Sequence, residues 1–128
     1  MREIIFRGKD KFDGEWYVGS LSHDTKYGNC FIEVSVHQGI AKEVIPETVG
    51  QYTGLTDKNG TKIFEGDILL WHSEWGEDFI TVVEWDNKRA YFGARESGFD
   101  IPPFEIDDDF SKVEIIGNVH DNPELLNE

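Results

Sequence analysis

Basic residues are scarce in this chain. Twelve Lys and Arg stand against 26 Asp and Glu, a formal net charge of −14 over 128 residues. Binding to the phosphate backbone of nucleic acid relies on Lys and Arg that displace counterions, so this balance argues against direct nucleic-acid binding. It argues equally against an anionic membrane surface. The acidity leaves room for high solubility, for a basic protein partner, or for imitation of nucleic acid towards a DNA-binding protein.

Cysteine is nearly absent. The single Cys30 rules out an intramolecular disulfide, which fits a reducing compartment. It opens the apolar run Cys30-Phe31-Ile32 and reads as a small buried hydrophobe rather than a reactive thiol. Long apolar runs are missing too, and none approaches the roughly 20 residues needed to span a bilayer. The opening stretch Met1-Arg2-Glu3-Ile4-Ile5-Phe6-Arg7 is too short and too charged to read as a signal peptide. There is no P-loop, no G-x-G-x-x-G, no G-x-S-x-G and no zinc-type cysteine pair, so no cofactor is implied. Without a repeat, a low-complexity segment or a dividing linker, residues 1–128 are expected to form one domain.

Aromatics are plentiful, with nine Phe, four Tyr and four Trp. They favour strands and bury large areas. The pattern is one of strands and turns nearly throughout. Strands are expected at Glu3 to Arg7, Glu15 to Gly19 and Phe31 to His37, where Ile32, Val34 and Val36 share one face. A further strand is expected near Glu43 to Ile45, stopped by Pro46, with Glu47 to Thr53 following. Asn59-Gly60 supplies the left-handed backbone of a tight reversal. Gly66-Asp67 bends the chain before Ile68-Leu69-Leu70-Trp71, whose two apolar faces predict a central strand. Phe79 to Trp85, Ala90 to Ala94 and Val113 to Val119 complete the set, with Trp71 and Trp85 expected in the core. Asn122-Pro123-Glu124 reads as a helix start with Asn122 as its cap. The expectation is a mainly-β fold: a small barrel-like or two-layer antiparallel sheet with a short C-terminal helical turn. The stretch Ile63 to Val119 is long enough for a small barrel by itself.

Candidate chemistry is thin. The best local grouping is His72, Glu74, Glu77 and Asp78, flanked by Trp71 and Trp75. Imidazole with carboxylates suits Zn²⁺ or Mn²⁺, but no spaced histidine pair accompanies it, and a solvated acidic loop is the plainer reading. His23-Asp24 and His120-Asp121 are sequence neighbours, which rarely places two ligands on one ion. Glu105, Asp107, Asp108 and Asp109 lack the glycine and spacing of a calcium loop. Tyr52 and Trp75, with Glu77 and Asp78, are candidates for a partner-binding surface.

Several segments together resemble the YopX-like family of bacteriophage and prophage proteins. They are the opening Arg2-Glu3-Ile4-Ile5-Phe6-Arg7 and the block Val49-Gly50-Gln51-Tyr52-Thr53-Gly54-Leu55-Thr56-Asp57-Lys58-Asn59-Gly60. Ile63-Phe64-Glu65-Gly66-Asp67-Ile68 and Val82-Val83-Glu84-Trp85-Asp86 follow, and Glu114 to Leu126 closes the chain. The order matches from end to end, and it is weakest at Asp10 to Ile45, Trp71 to Glu77 and Arg95 to Phe110. The resemblance implies a mainly-β fold and the bacterial cytoplasm. It brings no catalytic residue, cofactor or activity. A protein-binding or regulatory module, in some form a homo-oligomer, is the leading expectation and enzymatic activity is not favoured. An acidic DNA mimic and a metal-dependent hydrolase built on the His72 to Asp78 region remain as alternatives.

Overall fold

The computed structural model describes residues 3–35, 40–72, 78–86, 91–96, 104–105 and 113–126. It is mainly β, built from antiparallel strands, and divides into two compact units, Met1–Tyr52 and Thr53–Glu128. Among the described residues no helix is long and apolar enough to cross a membrane.

The first unit holds β1 (Phe6–Lys9), β2 (Trp16–His23), β3 (Cys30–Ser35) and β4 (Ile40–Val44), then a one-turn 3₁₀ helix, Pro46–Thr48, and the start of β5 (Gly50–Thr56). Neighbours run β4-β3-β2-β1-β5. The free side of β1 is used twice. Phe6 and Arg7 pair with Gln51 and Gly50, while at the other end Asp10 bridges Val44. The Ile45 N–H donates to Lys9 O and the Lys11 N–H to Glu43 O, both at 2.9 Å. The end of the outermost strand β4 therefore returns to the end of β1, and the sheet curls into a small barrel-like wall. Inside lie Cys30, Ile32 and Val44, with Phe6, Tyr17, Leu21 and Val49 packed against them. Each fully buried aliphatic chain there contributes about 1.5–3 kcal/mol. The closure leaves no room at Gly8, where a Cβ would fall 2.8 Å from Val44 Cβ.

One turn design joins β1 to β2 and β2 to β3. In Asp10-Lys11-Phe12-Asp13-Gly14, the Asp10 N–H donates to Glu15 O (2.8 Å) and the Gly14 N–H to Asp10 O (3.2 Å). In Asp24-Thr25-Lys26-Tyr27-Gly28 the matching bonds are 2.8 Å to Asn29 O and 2.7 Å to Asp24 O. Both glycines have positive φ, +72° and +74°, a conformation that costs other residues strain. The aspartate carboxylates accept N–H groups within their own turns: Phe12 and Asp13 for Asp10, Lys26 for Asp24. Each turn carries an exposed aromatic, Phe12 or Tyr27.

Several sequence expectations shift in this unit. The first strand begins at Phe6, where pairing begins, and Ile4 is exposed. Strand β2 runs on to His23 because it pairs with β3 as far as Cys30. Val34 is exposed rather than sharing the face of buried Ile32. The cause is a bulge: the register skips from Glu33 to Ser35 against Ala41 and Ile40, which breaks the alternation at Val34. Val36 lies outside the described residues. Cys30 is buried, as its apolar run suggests.

The second unit contains the remainder of β5 with β6 (Lys62–Phe64), then β7 (Asp67–Trp71), β8 (Phe79–Asp86), β9 (Tyr91–Glu96), β10 (Phe104–Glu105) and β11 (Val113–Asn118). The order β10-β9-β8-β7-β11 sets β7 between two strands, as its two apolar faces predict. Its core joins Ile63, Leu69, Val83 and Val113 with Leu55, Trp71 and Ile115. Trp71 is half-buried, stacks on Phe79 at 5.8 Å, and donates its indole N–H to buried Thr81 Oγ1 at 2.7 Å. Trp85 is 42% exposed, contrary to expectation. It shares a strand face with Thr81 and Val83 but lies two residues beyond Val83, past the end of the core. A 3₁₀ turn, Pro123–Leu126, closes the described chain. Asn122 precedes it, and its backbone carbonyl accepts the Leu125 N–H at 3.1 Å. Its Oδ1 accepts the Asn118 N–H at 3.2 Å.

Asp57 fastens the β5–β6 hairpin to β11. One carboxylate oxygen accepts the N–H groups of Asn59 (2.9 Å) and Thr61 (3.0 Å), and the other accepts that of Ile115 at 3.1 Å. The Lys58 N–H adds a bond to Val113 O. Burial pushes the Asp57 carboxyl up, but the three N–H bonds and the Lys58 charge outweigh it, holding the pKa below 3.8.

Two predictions follow from this packing. Gly19→Ala would drive a Cβ into the Glu33 carbonyl oxygen and should cost about 3 kcal/mol or more in urea unfolding. Gly14→Ala, with open space but positive φ, should cost only about 1 kcal/mol. Asp57→Asn sets an amide NH₂ or its single oxygen against three donors and should cost about 1–3 kcal/mol at neutral pH. Because the folded pKa of Asp57 is lowered, its contribution is present above the ordinary value and lost as pH falls through the folded one. The gap between wild type and variant should therefore close in acid unfolding series below about pH 4.

Candidate functional site

The β1–β2 turn overhangs an open groove of about 460 Å³. The turn supplies Asp10, Phe12 and Asp13; the floor and far wall are Phe31 of β3 and Ala41, Lys42 and Glu43 of β4. Register explains the meeting: Phe31 pairs with Glu43, and Glu33 with Ala41, so Phe31, Glu43 and Ala41 share one sheet face. Phe12 stands at the tip, 80% exposed. It is held there by the bond from its own N–H to Asp10 Oδ1 at 2.7 Å.

Three carboxylates, Asp10, Asp13 and Glu15, stand in and beside this turn, with Lys9 and Lys11 between and before them. Asp13 accepts the Glu15 N–H through Oδ1 (2.8 Å) and the Tyr17 hydroxyl through Oδ2 (2.7 Å). The Glu15 N–H, then the Tyr17 hydroxyl, hold the Asp13 carboxyl below its ordinary value. Tyr17 responds in the opposite direction. Its bond to Asp13, then burial, then the charges of Asp13, Asp10 and Glu15, push its phenol up from 10.0 to about 12. The nearby cations are engaged: Lys11 Nζ lies 3.3 Å from Glu43 Oε2, and Lys42 Nζ sits over the Tyr17 ring, 5.1 Å from its centroid.

The residues singled out in the sequence lie elsewhere. Glu74, Trp75 and Glu77 fall outside the described residues, as do Asp107, Asp108 and Asp109. Tyr52 is buried, 9% exposed. His72 and Asp78 do meet, with His72 Nδ1 at 3.3 Å from Asp78 Oδ2. The other ring nitrogen, Nε2, is 3.0 Å from Glu114 Oε1, which also lies 3.9 Å from Lys58 Nζ. The two carboxylates thus grip opposite edges of the imidazole and do not converge on one point. Among the described residues no group of three or more His, Cys, Asp or Glu is arranged to hold a metal ion. Asp24 belongs to its turn, and the Asp121 and His120 N–H groups bond Asn118 Oδ1.

Between the first two expected strands the sequence marks only a polar turn, Gly8 to Gly14, and gives no sign that β4, the groove's far wall, folds back beside it. The local sign is an aromatic inside an Asp-x-x-x-Gly segment, which is exposed in both turns of this design. Glu114 offered none, standing 42 residues from His72.

Fold and site together define a mainly-β protein of two small antiparallel units with an acid-rimmed groove. The chain belongs to the YopX family, whose model, described as YopX protein, matches residues 5–127. Among solved structures it is similar to the crystal structure of protein EF1440 from Enterococcus faecalis. The identity is 23% and the TM-score 0.59, over 99% of this chain and 100% of that one, a likeness of fold. No curated protein matches it.

The Tyr17–Asp13 pair can be read directly. Ultraviolet or ring-carbon NMR titration should place the Tyr17 phenol near 12. Asp13→Asn should move it back towards 10.0, its ordinary value. Since the folded pKa is raised, the bond stabilises below the ordinary value and is lost as pH rises through the folded one.

Proposed function

We propose that this chain is a phage- or prophage-encoded binding or regulatory module that acts by contacting another protein in the bacterial cytoplasm. The observation that carries the reading is Phe12, a large ring 80% exposed on a turn whose hydrogen bonds hold it out beside a groove. An exposed phenylalanine gains about 1.5–3 kcal/mol when a partner covers it. A rigid turn keeps the ordering cost of doing so low. Polar carboxylates around an aromatic centre match the usual anatomy of a protein-binding patch. Family membership agrees with this reading without specifying an activity.

The test is affinity capture from bacterial host lysates at low salt, with wild type beside Phe12→Ser. Phe12 packs on little, so the variant should melt within about 1–2 °C of wild type. A partner captured by wild type should be held at least about tenfold more weakly by the variant. Failure to recover any specific partner across several host lysates would count decisively against the reading.

A further inference from the structure

Resting on that reading, we infer that the partner offers an extended segment, which adds to the outer edge of β4 as a further strand opposite Ala41. On the side of β4 away from β3, the Lys11 N–H bonds Glu43 O and the Ile45 N–H bonds Lys9 O, both at 2.9 Å. The end of β1 thus begins a ladder along that edge, but the chain leaves it after Lys11, in the turn that carries Phe12. Alternation along a strand sends the N–H and C=O of Ala41 outward like those of Glu43. Among the described residues no hydrogen bond meets Ala41 on that side. Ala41 is exposed, and the groove of about 460 Å³ lies against it. Sheet edges are commonly guarded by a lysine, a proline or a covering segment. The lysine of β4, Lys42, is turned onto the Tyr17 ring instead.

An extended backbone supplies the matching acceptor and donor from one residue, and main-chain bonds of this kind give strand-adding partners their affinity. The side chain opposite Ala41 falls on the sheet face that holds Ala41, Glu43 and Phe31. Phe31 and Phe12 line the groove there, so an apolar side chain such as leucine fits it. No charge on the partner is called for, since Glu43 already holds Lys11 and both Asp13 oxygens are bonded. A second copy of this chain is a poor occupant, because two molecules of charge −14 repel.

The probe is the uncharged peptide acetyl-Ser-Thr-Leu-Thr-Ser-amide, titrated into the full ¹⁵N-labelled chain. Its control carries N-methyl-leucine, which keeps the side chain and loses the N–H that meets Ala41 O. In the free chain the Ala41 amide should exchange with solvent at least about tenfold faster than those of Lys42 and Val44, which turn to β3. The peptide should slow exchange at Ala41 and shift the amides of residues 12, 31 and 41–43. The N-methyl control should bind at least about fivefold more weakly. Ala41→Pro removes the outward N–H, a change that an edge strand tolerates, and should weaken both the peptide and any captured partner to a similar degree. Should that variant fail to fold, the N-methyl control decides alone. Equal binding of the two peptides, unaltered exchange at Ala41, or shifts centred away from the groove would overturn the inference. So would protection of Ala41 that grows with protein concentration alone, which marks a second copy at the edge. A host partner weakened by Phe12→Ser but not by Ala41→Pro would sink strand addition and leave the protein-binding reading standing. A peptide seated along β4 with no host partner recovered would separate the two the other way.

Discussion

The first unit depends on Asp10. Its backbone forms the bridge to Val44 that returns β4 to β1. Its carboxylate accepts the N–H groups that shape the following turn. Closure and display are thus joined in one residue. Without the bridge, the ends of β1 and β4 would part, and the groove would lose its angle between turn and strand. Without the carboxylate, two turn N–H groups would lose their acceptor, each a cost of about 1 kcal/mol or more. Thr48 reinforces the same corner. Its hydroxyl accepts the Lys9 N–H at 2.9 Å and donates to Ile45 O at 2.6 Å, so the segment after β4 is tied to the end of β1.

Aspartate performs a related task in the second unit. Asp57 opens Asp57-Lys58-Asn59-Gly60 as Asp10 opens its turn, accepting an N–H two residues on in each case. The difference lies in the second oxygen, which in Asp57 reaches across 58 residues to Ile115. One device serves local geometry at Asp24, barrel closure at Asp10 and long-range attachment at Asp57. A chain with few basic residues therefore has a structural use for part of its acid excess. Carboxylates satisfied by backbone N–H groups need no lysine or arginine beside them.

Legibility in the sequence divided along the range of the interactions. Local chemistry was readable: Asn59-Gly60 marks a reversal, Gly66-Asp67 a bend, and the two-faced apolar run at Ile68 to Trp71 a central strand. The mainly-β character followed from the same signals. Features set by pairing were not readable. The bulge that turns Val34 outward exists only in the register of β3 against β4. The closure of β1 on β4 joins segments more than thirty residues apart. Trp85 carries the apolar character of a core residue, yet its strand outruns the core. The groove failed to show for both reasons together. Its near wall is a local turn, but its far wall arrives only when β4 folds back beside that turn.

Acidity first stood as a bulk property, useful mainly for what it excluded. At the β1–β2 turn it acquires a location. Asp10 and Asp13 are placed there by the needs of the backbone, each absorbing N–H groups of the turn. The bond from Tyr17 to Asp13, then burial, then the neighbouring carboxylates raise the phenol, while across the groove Glu43 holds Lys11 at 3.3 Å. The carboxylates of this turn are thus spent on making it rigid. That rigidity keeps Phe12 exposed at the tip. An apolar ring held at one fixed place lowers the ordering cost of any contact made through it, and here the fold produces it from a single turn.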